Sequence, residues 1–480
     1  MAMHRFDPAI FREYDIRGAF GENLRAEDAY LIARAFAAGI PLPASSPQAG
    51  VMAENTPPAY GAGKGGGCIC VCRDGRLSSP ELHEAVCRGV TESGVDVMDI
   101  GIGPTPMLYF AAHMQKTAGA MMITGSHNPP ADNGLKFVLG GKAFYGADIQ
   151  ALKKKILEGF GIQEKKGKIS TRDVREDYVD ALASAYGDAP WLNVAWDGGN
   201  GAAGEIMAAL AARLPGTHML LNERIDGAFP AHHPDPSVPE NLAQLIHAVR
   251  GGTLDAGIAF DGDGDRLGVV DDEGMILSGD HLLMLYAEDV LKHTPGAMII
   301  ADVKASGAVF EEIARLGGKP LMWKTGHSNI KAKMAETGAA FAGEMSGHMF
   351  FADKYYGYDD GIYAAVRLLA LLSRSGKKLS ELRKALPARV STPELRFACD
   401  DARKFKVIDE VRGRLKQAAT EFNDVDGVRV STRDGWWLLR ASNTQAALVA
   451  RAEARDAAGL SRLKEDLRRQ LSFSKVALPC

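Results

Sequence analysis

Apolar residues along this chain fall into short alternating or continuous runs, each followed by a run with spacings of three and four, and the order recurs. The first kind of run predicts strands and the second amphipathic helices. One copy passes through Ile69 and Val71 to Asp74. A helix then starts at Ser78 to Glu81, with Ser79 as N-cap and Pro80 at the first helical position; Leu82, Ala85, Val86 and Val90 share a face, and Gly94 closes it. A second copy runs from Val194 to Asp197, through the turn D-G-G-N-G-A-A-G, to a helix ending near Leu214. The third runs from Met298 to Asp302, with a helix carrying Val309, Ile313 and Leu316 that stops at Gly317 and Gly318.

Strand, helix and strand joined by short links imply parallel pairing through right-handed crossovers, so each copy predicts an α/β layer unit. In such units function gathers at the carboxyl ends of strands. A later apolar strand in each copy runs into a polar, glycine-bearing loop: T-G-S-H-N-P from Thr124, D-G-D-G-D-R from Asp261, and G-E-M-S-G-H from Gly343. Three equivalent loops suggest a site built where three domains meet. From about Ser391 the pattern changes to strands near Val428 and Trp437, the loop R-A-S-N-T-Q from Arg440, and helices on either side, a separate α+β domain. The expected fold is therefore three topologically similar α/β domains plus a C-terminal α+β domain. Residues 1–172 hold the serine loop, 173–275 the acidic loop, 276–388 the G-E-M-S-G-H loop and 389–480 the R-A-S-N-T-Q loop. The stretch 41–67, rich in Pro and Gly, reads as an exposed excursion and is assigned no chemistry.

Composition narrows the function. Apolar residues make up 46% and charged residues 24% of 480, an ordinary globular balance that excludes a disordered chain. Lys plus Arg number 56 against 60 Asp plus Glu, so no bulk basic field is present to hold nucleic acid or a membrane surface, and any anion must be gripped locally. Six Cys in this length do not make a disulfide framework, which with the absence of an apolar leader or spanning run points to the cytoplasm. Cys68, Cys70 and Cys72 alternate, and a doubly buried strand accounts for them better than a zinc site.

The loops carry the candidate chemistry. Asp261, Asp263 and Asp265, spaced by glycines, can converge on one hard cation, and oxygen-only ligation points to Mg²⁺ or Ca²⁺. A calcium EF-hand fails because Arg266 stands where its sixth position needs Gly; an acidic turn at a strand end is the plainer alternative. Arg266 would offset the carboxylate charge and grip a phosphoryl oxygen. Ser126, in its turn beside His127, offers a hydroxyl nucleophile, although a turn-forming role reads as well, and Asn128 spoils the G-x-S-x-G pattern of hydrolases. Lys136 would supply a proton or a charge if neighbouring cations lower its pKa, and otherwise reads as an exposed surface lysine. Glu344, Ser346 and His348 suit hydrogen bonds to vicinal sugar hydroxyls, and Arg440, Ser442, Asn443 and Thr444 form a donor-rich loop suited to phosphate. His327 is ambiguous, and the adjacent His232 and His233 cannot readily face one metal.

Taken in order, F-R-E-Y-D-I-R-G (Phe11 to Gly18), T-G-S-H-N-P, D-G-D-G-D-R, D-V-K (Asp302 to Lys304), K-T-G-H-S, G-E-M-S-G-H and R-A-S-N-T resemble the α-D-phosphohexomutase superfamily, and within it the bacterial phosphomannomutase/phosphoglucomutase group. The resemblance spans nearly the whole chain and implies four domains around a central active-site cleft. It implies Ser126 as a phosphoserine carrier, with Ser126, Asp261, Asp263 and Asp265 on Mg²⁺ and Arg266 on the transferring group. Lys136 would be a general acid/base, with Arg17, His127, His327 and His348 around the reacting centre. Tyr14 and Lys304 would lie on the substrate side, Glu344 and Ser346 would read O3 and O4, and Arg440, Ser442, Asn443 and Thr444 would hold the idle phosphate. Gln445 and Ala446 depart from the small hydroxyl and proline expected there.

The implied reaction interconverts hexose 1-phosphate and hexose 6-phosphate, of mannose and glucose, through a hexose 1,6-bisphosphate that is both intermediate and activator. Sugar phosphates are then the expected partners of a monomer or weak dimer, with neither nucleic acid nor membrane. A phosphoglucosamine mutase and a non-catalytic binder of cations or sugar phosphates are the alternatives.

Overall fold

The computed structural model describes residues 6–40, 67–161, 163, 165–443 and 445–479; Thr444 and all of the 41–67 stretch except Gly67 lie outside the described residues. The chain forms two compact units, Met1–Ile276 with Tyr358–Ser380, and Leu277–Gly357 with Glu381–Cys480.

The first unit holds two mixed sheets and the second unit a third of the same design. In the first sheet Cys68–Arg73 pairs in parallel with Asp96–Ile102 on one side and Gly119–Ile123 on the other. Gly119–Ile123 then turns back into the antiparallel strand Asp132–Leu139. The second sheet repeats this with Leu192–Asp197 between Gly216–Leu221 and Ala256–Phe260, the last returning as Leu267–Asp271. The third places Met298–Asp302 between Lys319–Trp323 and Phe341–Gly343, which returns as Met349–Phe351. Periodicity announces the parallel pairs. The antiparallel return strand, which makes each chemistry-bearing loop a hairpin link, is visible only in the fold.

Packing follows from the burial of the strand faces. Ile69, Val71, Met121 and Ile123 lie under Phe36, Val86 and Val90 of the covering helices Ala26–Ala37 and Ser79–Glu92, all of them buried. Each such side chain contributes about 1.5–3 kcal/mol. Cys70 and Cys72 are buried within the central strand, burial pushes their thiols up, and the described cysteines are free and join no metal-binding group. Burial bears out the buried-strand reading for Cys70 and Cys72, while Cys68, at the start of the strand, is half-buried. The helix expected to be capped by Ser79 begins at Ser79, with Ser78 in the cap position. Ser79 instead donates its hydroxyl to the buried Asp74 Oδ1 at 2.5 Å, and its oxygen accepts from Asn133 Nδ2 at 3.0 Å.

The helix Gly361–Ser375 belongs to the first unit. Asp360 accepts the Tyr178 hydroxyl at 2.9 Å and caps the helix through Ile362 N and Tyr363 N. Arg374 reaches the Tyr186 carbonyl at 2.9 Å. In the C-terminal sheet, Trp437, Leu439, Leu448 and Ala450 face the helices Asp401–Gln417 and Ala457–Phe473. The opposite face carries Trp436 and Leu438, packed with Val303.

Candidate active site

Ser126 stands at the carboxyl end of Gly119–Ile123 in a backbone conformation with φ of 50°, which L residues other than Asn, Asp and Gly seldom adopt. Such strain costs on the order of 1 kcal/mol and persists where the surroundings over-determine it. Here they do. Thr124 Oγ1 accepts the Ser126 N–H at 2.8 Å, and Arg17 and Arg76 donate to the Gly125 and Ser126 carbonyls, each at 2.7 Å. Ser126 is 1% exposed, and its Oγ donates to Asp261 Oδ2 at 2.9 Å, with His127 Nδ1 at 3.2 Å.

Asp261, Asp263 and Asp265 lie in the link between Ala256–Phe260 and Leu267–Asp271, and oxygens from all three fall within 4.8 Å of one another. Gly262 permits this. A Cβ there would sit 2.3 Å from the Ser126 carbonyl oxygen, so the acidic turn can lie against the serine turn only without a side chain. Lys136, paired with Met122 across the first hairpin, brings its Nζ to 2.7 Å from Asp263 Oδ2 and 2.6 Å from Asp265 Oδ2. Thr105, at the N-terminus of the helix Thr105–Gln115, donates its hydroxyl to Asp263 Oδ2 and its N–H to the Asp263 carbonyl.

The electrostatics separate the three acids. Burial, then the charges of Asp265 and Asp263, push the Asp261 carboxyl well above the usual range. Burial also raises Asp263, but Lys136, Thr105 and Arg17 outweigh it and hold that carboxyl below the usual range. Lys136 is the mirror case: burial alone would lower it, and the two aspartates hold its ammonium well above the usual value. The sequence let Lys136 supply a proton or a charge if neighbouring cations lowered its pKa; its carboxylate neighbours instead raise it. Arg17, paired with Asp15 at 2.7 Å, is likewise raised against its burial, with Asp15 the largest opposing influence. Arg266 offers its backbone N–H to Asp261 Oδ1 at 3.2 Å, and its charge works to lower the Asp261 carboxyl.

These residues fit a hard divalent cation. Three carboxylates converge, and Asp263 Oδ1 is a buried oxygen with no hydrogen-bond partner among the described residues. A buried carboxylate oxygen left bare is costly, and a cation at that position would satisfy it.

In the second unit Glu344 is buried and accepts the Gly326 N–H at 2.7 Å, while its own N–H meets the His348 carbonyl at 2.9 Å. His327 and His348 stack with ring centroids 5.6 Å apart. Ser346 is half-buried in the same loop. Lys304 Nζ stands 3.1 Å from Glu394 Oε2 and 3.8 Å from Asp302 Oδ2. Burial lifts the Asp302 carboxyl to about 6, Lys304 opposing and Glu344 adding to it. Arg440 pairs with Asp426 at 3.0 Å, and Asp426 also takes the Thr325 N–H at 3.1 Å. Ser442 is buried with its hydroxyl 3.2 Å from the Gln445 N–H, and Asn443 is half-buried. The unexpected Gln445 is tethered at both ends, its amide oxygen to Arg396 at 3.1 Å and its carbonyl to Lys404 at 2.9 Å.

The first unit thus gathers Ser126, His127, Lys136, Arg17 and the three aspartates, with Arg266 in the same turn; Tyr14 is buried beside Asp15 in the chain. The second gathers Lys304, Glu344, His327 and His348. His232 and His233 diverge, His232 to Asp197 at 2.9 Å and His233 Nε2 to the His127 carbonyl at 2.6 Å. Sequence reasoning missed Arg76, Thr105, Thr124 and His233. Arg76 leaves only its place two residues past a strand-end Asp, and Thr105 its place between prolines at a helix start; Thr124 opens a loop already singled out, and His233 is set aside beside His232.

Family models match along the whole chain: phosphoglucomutase/phosphomannomutase alpha/beta/alpha domain I at residues 8–163, domain II at 176–274, domain III at 278–390 and the C-terminal domain at 394–470. A phosphomannomutase/phosphoglucomutase of Pseudomonas aeruginosa is 42% identical over 471 residues, covering 98% of this chain and 97% of its own. A phosphoglucomutase of Neisseria gonorrhoeae is 43% identical over 458 residues, 95% of each chain. The crystal structure of a phosphoglucomutase/phosphomannomutase family protein from Burkholderia thailandensis superposes with a TM-score of 0.87 at 42% identity, covering 99% of this chain and all of that one. The chain belongs to the phosphoglucomutase/phosphomannomutase family.

Proposed function

We propose that this chain, as a member of that family, interconverts the 1-phosphates and 6-phosphates of glucose and mannose, with Ser126 as the phosphoryl carrier. The observation that carries the reading is the Ser126 turn: a buried hydroxyl on a left-handed residue, 2.9 Å from one of three convergent aspartates.

In the first transfer the Oγ–P bond of phosphorylated Ser126 breaks as a sugar hydroxyl forms its O–P bond, and the hydroxyl's proton ends on Oγ. The resulting hexose 1,6-bisphosphate turns around, and its other phosphoryl group passes to Ser126 as that proton leaves again. His127 Nδ1, 3.2 Å from Oγ, would take it, and the Lys136 ammonium would protonate the sugar oxygen that this second transfer releases. Phosphoryl transfer asks for alignment and charge compensation more than for covalent chemistry, and Arg17, Arg266 and Lys136 supply positive charge at a buried site. Lys136, held protonated, serves as the acid half of an acid/base pair and as a counter-charge. Asp261, Asp263 and Asp265 with Ser126 would hold Mg²⁺, which supplies charge neutralisation at a phosphoryl oxygen.

Glu344 and Ser346 would read O3 and O4, a choice blind to the C2 epimer, with Lys304, Tyr14, His327 and His348 on the sugar. Arg440, Ser442, Asn443 and Thr444 would hold the idle phosphate. We assign these tasks to the divisions 1–172, 173–275, 276–388 and 389–480 in that order: carrier, metal, sugar and phosphate. We place the protein in the cytoplasm as a monomer or weak dimer; the free described cysteines support a reducing compartment.

The test is the intact mass of the protein before and after glucose 1,6-bisphosphate, with turnover measured on glucose and mannose 1-phosphates. A phosphate-sized shift on the Ser126 peptide, lost with more than a thousandfold of turnover in Ser126→Ala, is expected. Unchanged turnover in Ser126→Ala would sink the carrier role.

A further inference from the structure

Arg76 is fully buried in the link between Cys68–Arg73 and the following helix, and its two Nη groups donate to a single loop. Nη2 donates to the carbonyls of Ser126 and Asn128, both at 2.7 Å, and Nη1 to those of Pro129 and Asp132 at 2.5 and 2.9 Å. Asp74 holds the opposite side: its Oδ2 accepts the Gly125 N–H at 3.2 Å and lies 3.2 Å from Arg76 Nε. Gly125 lies so close that a Cβ would meet Arg76 Cζ at 2.5 Å.

The second sheet's loop completes the clamp. Phe229, itself at φ of 49° and 8% exposed, sets its ring 5.1 Å from Arg76 Cζ. His233, four residues on, donates Nε2–H to the His127 carbonyl at 2.6 Å. Carbonyls of residues 126, 127, 128, 129 and 132 are thereby all captured by side chains from outside the loop.

We propose that Arg76, shielded by Phe229, is the positioning residue of the phosphoryl carrier: it holds the 125–132 loop so that Ser126 keeps its left-handed turn and its Oγ stays on Asp261. The proposal rests on the carrier reading above. Arg76 is not a catalytic residue, since its Nη donors are committed to four backbone carbonyls and its Nε faces the Asp74 carboxylate. A planar fork of donors can serve four carbonyls at once, and a lysine ammonium, a compact point charge with three donors, cannot. Displacement of a nucleophile by about 1 Å costs on the order of a hundredfold in rate. Substrate affinity, set elsewhere, should barely move.

The experiment compares kcat and KM for glucose 1-phosphate in the parent, Arg76→Lys and Phe229→Leu, each with a thermal melt. Arg76→Lys should lose about thirtyfold to a hundredfold in kcat with KM within threefold of the parent. Phe229→Leu keeps the guanidinium and removes only its cover, and should lose about threefold to tenfold in kcat with the same unchanged KM. Phosphate should still load on Ser126 in both. If Arg76→Lys folds and keeps kcat within threefold, or if KM rises in step with the loss, the positioning role is overturned. If Arg76→Lys does not fold, Phe229→Leu decides alone, and parental kcat there overturns it. A parent without mutase turnover would sink the carrier reading, and this proposal with it; an active parent with unaffected variants would sink this proposal alone.

Discussion

The Ser126 loop of the first unit and the Gly343–His348 loop of the second are the same piece of fold, a link between a parallel strand and its antiparallel return, put to opposite use. Around Ser126 the reactive groups are buried and already bonded to one another: Ser126 to Asp261, and Lys136 to Asp263 and Asp265. In the second loop Glu344 and His348 are buried, Glu344 accepting the Gly326 N–H, while Ser346 remains half-buried. Both loops have a backbone neighbour held by buried arginines. Arg76 grips the serine loop from within its own sheet, whereas Arg429 and Arg451 of the C-terminal sheet grip the carbonyls of Val303, Lys304 and Ala305. The contrast teaches that the proposed carrier site buries charge against opposite charge, while the proposed sugar loop buries Glu344 against a backbone N–H and leaves Ser346 half-buried.

Charge burial is the sharpest place to break the comparison. Lys136→Met leaves Asp263 and Asp265 without their ammonium, and removing one partner of a buried ion pair costs about 3–5 kcal/mol. The melting temperature should fall steeply, and Mg²⁺ should recover more of it in this variant than in the parent, since the cation would replace the lost charge. Equal Mg²⁺ effects in both proteins would mean that the aspartates do not share a cation.

A matched pair of glycines comes next. A Cβ at Gly262 would lie 2.3 Å from the Ser126 carbonyl oxygen, and one at Gly279 would lie 2.4 Å from that of Met345. Gly262→Ala should lower kcat by about a hundredfold. Gly279→Ala should instead raise KM for glucose 1-phosphate by about tenfold and leave kcat within a few-fold, the loss of a hydrogen bond or two. The same kinetic signature in both variants would erase the distinction drawn here.

The smallest effect is in pH. Asp302, lifted to about 6 by burial, holds a proton between about pH 4 and 6 that the unfolded chain has already lost. The folded state therefore binds more protons in that window, and this group makes the fold less stable as pH rises through it. Asp302→Asn should flatten the fall of melting temperature with rising pH there; an unaltered profile would show that the carboxyl titrates normally.

Much of this was legible beforehand because it is local. Asp-Gly alternation at 261–265 put three carboxylates on one turn, and the chain indeed brings their oxygens together. Gln445 was marked as a departure, and it turns out to be anchored by Arg396 and Lys404. Other features had no local trace. Ser79 reads as a cap yet serves Asp74, and Lys136, whose pKa nearby cations would have lowered, sits between carboxylates.

Sequence alone determined the strand, turn and helix order of the three repeats, the change to a fourth pattern near Ser391, and which loops carry hydroxyls, carboxylates and donors, because period and turn chemistry act over a few residues. Only the tertiary structure decided who faces whom. Lys136 meets aspartates more than a hundred positions away because its strand returns antiparallel beside Gly119–Ile123, and Arg76 meets Ser126 because the strands before them are parallel neighbours. A charge takes its meaning from the groups that replace water around it, and sheet order sets those groups.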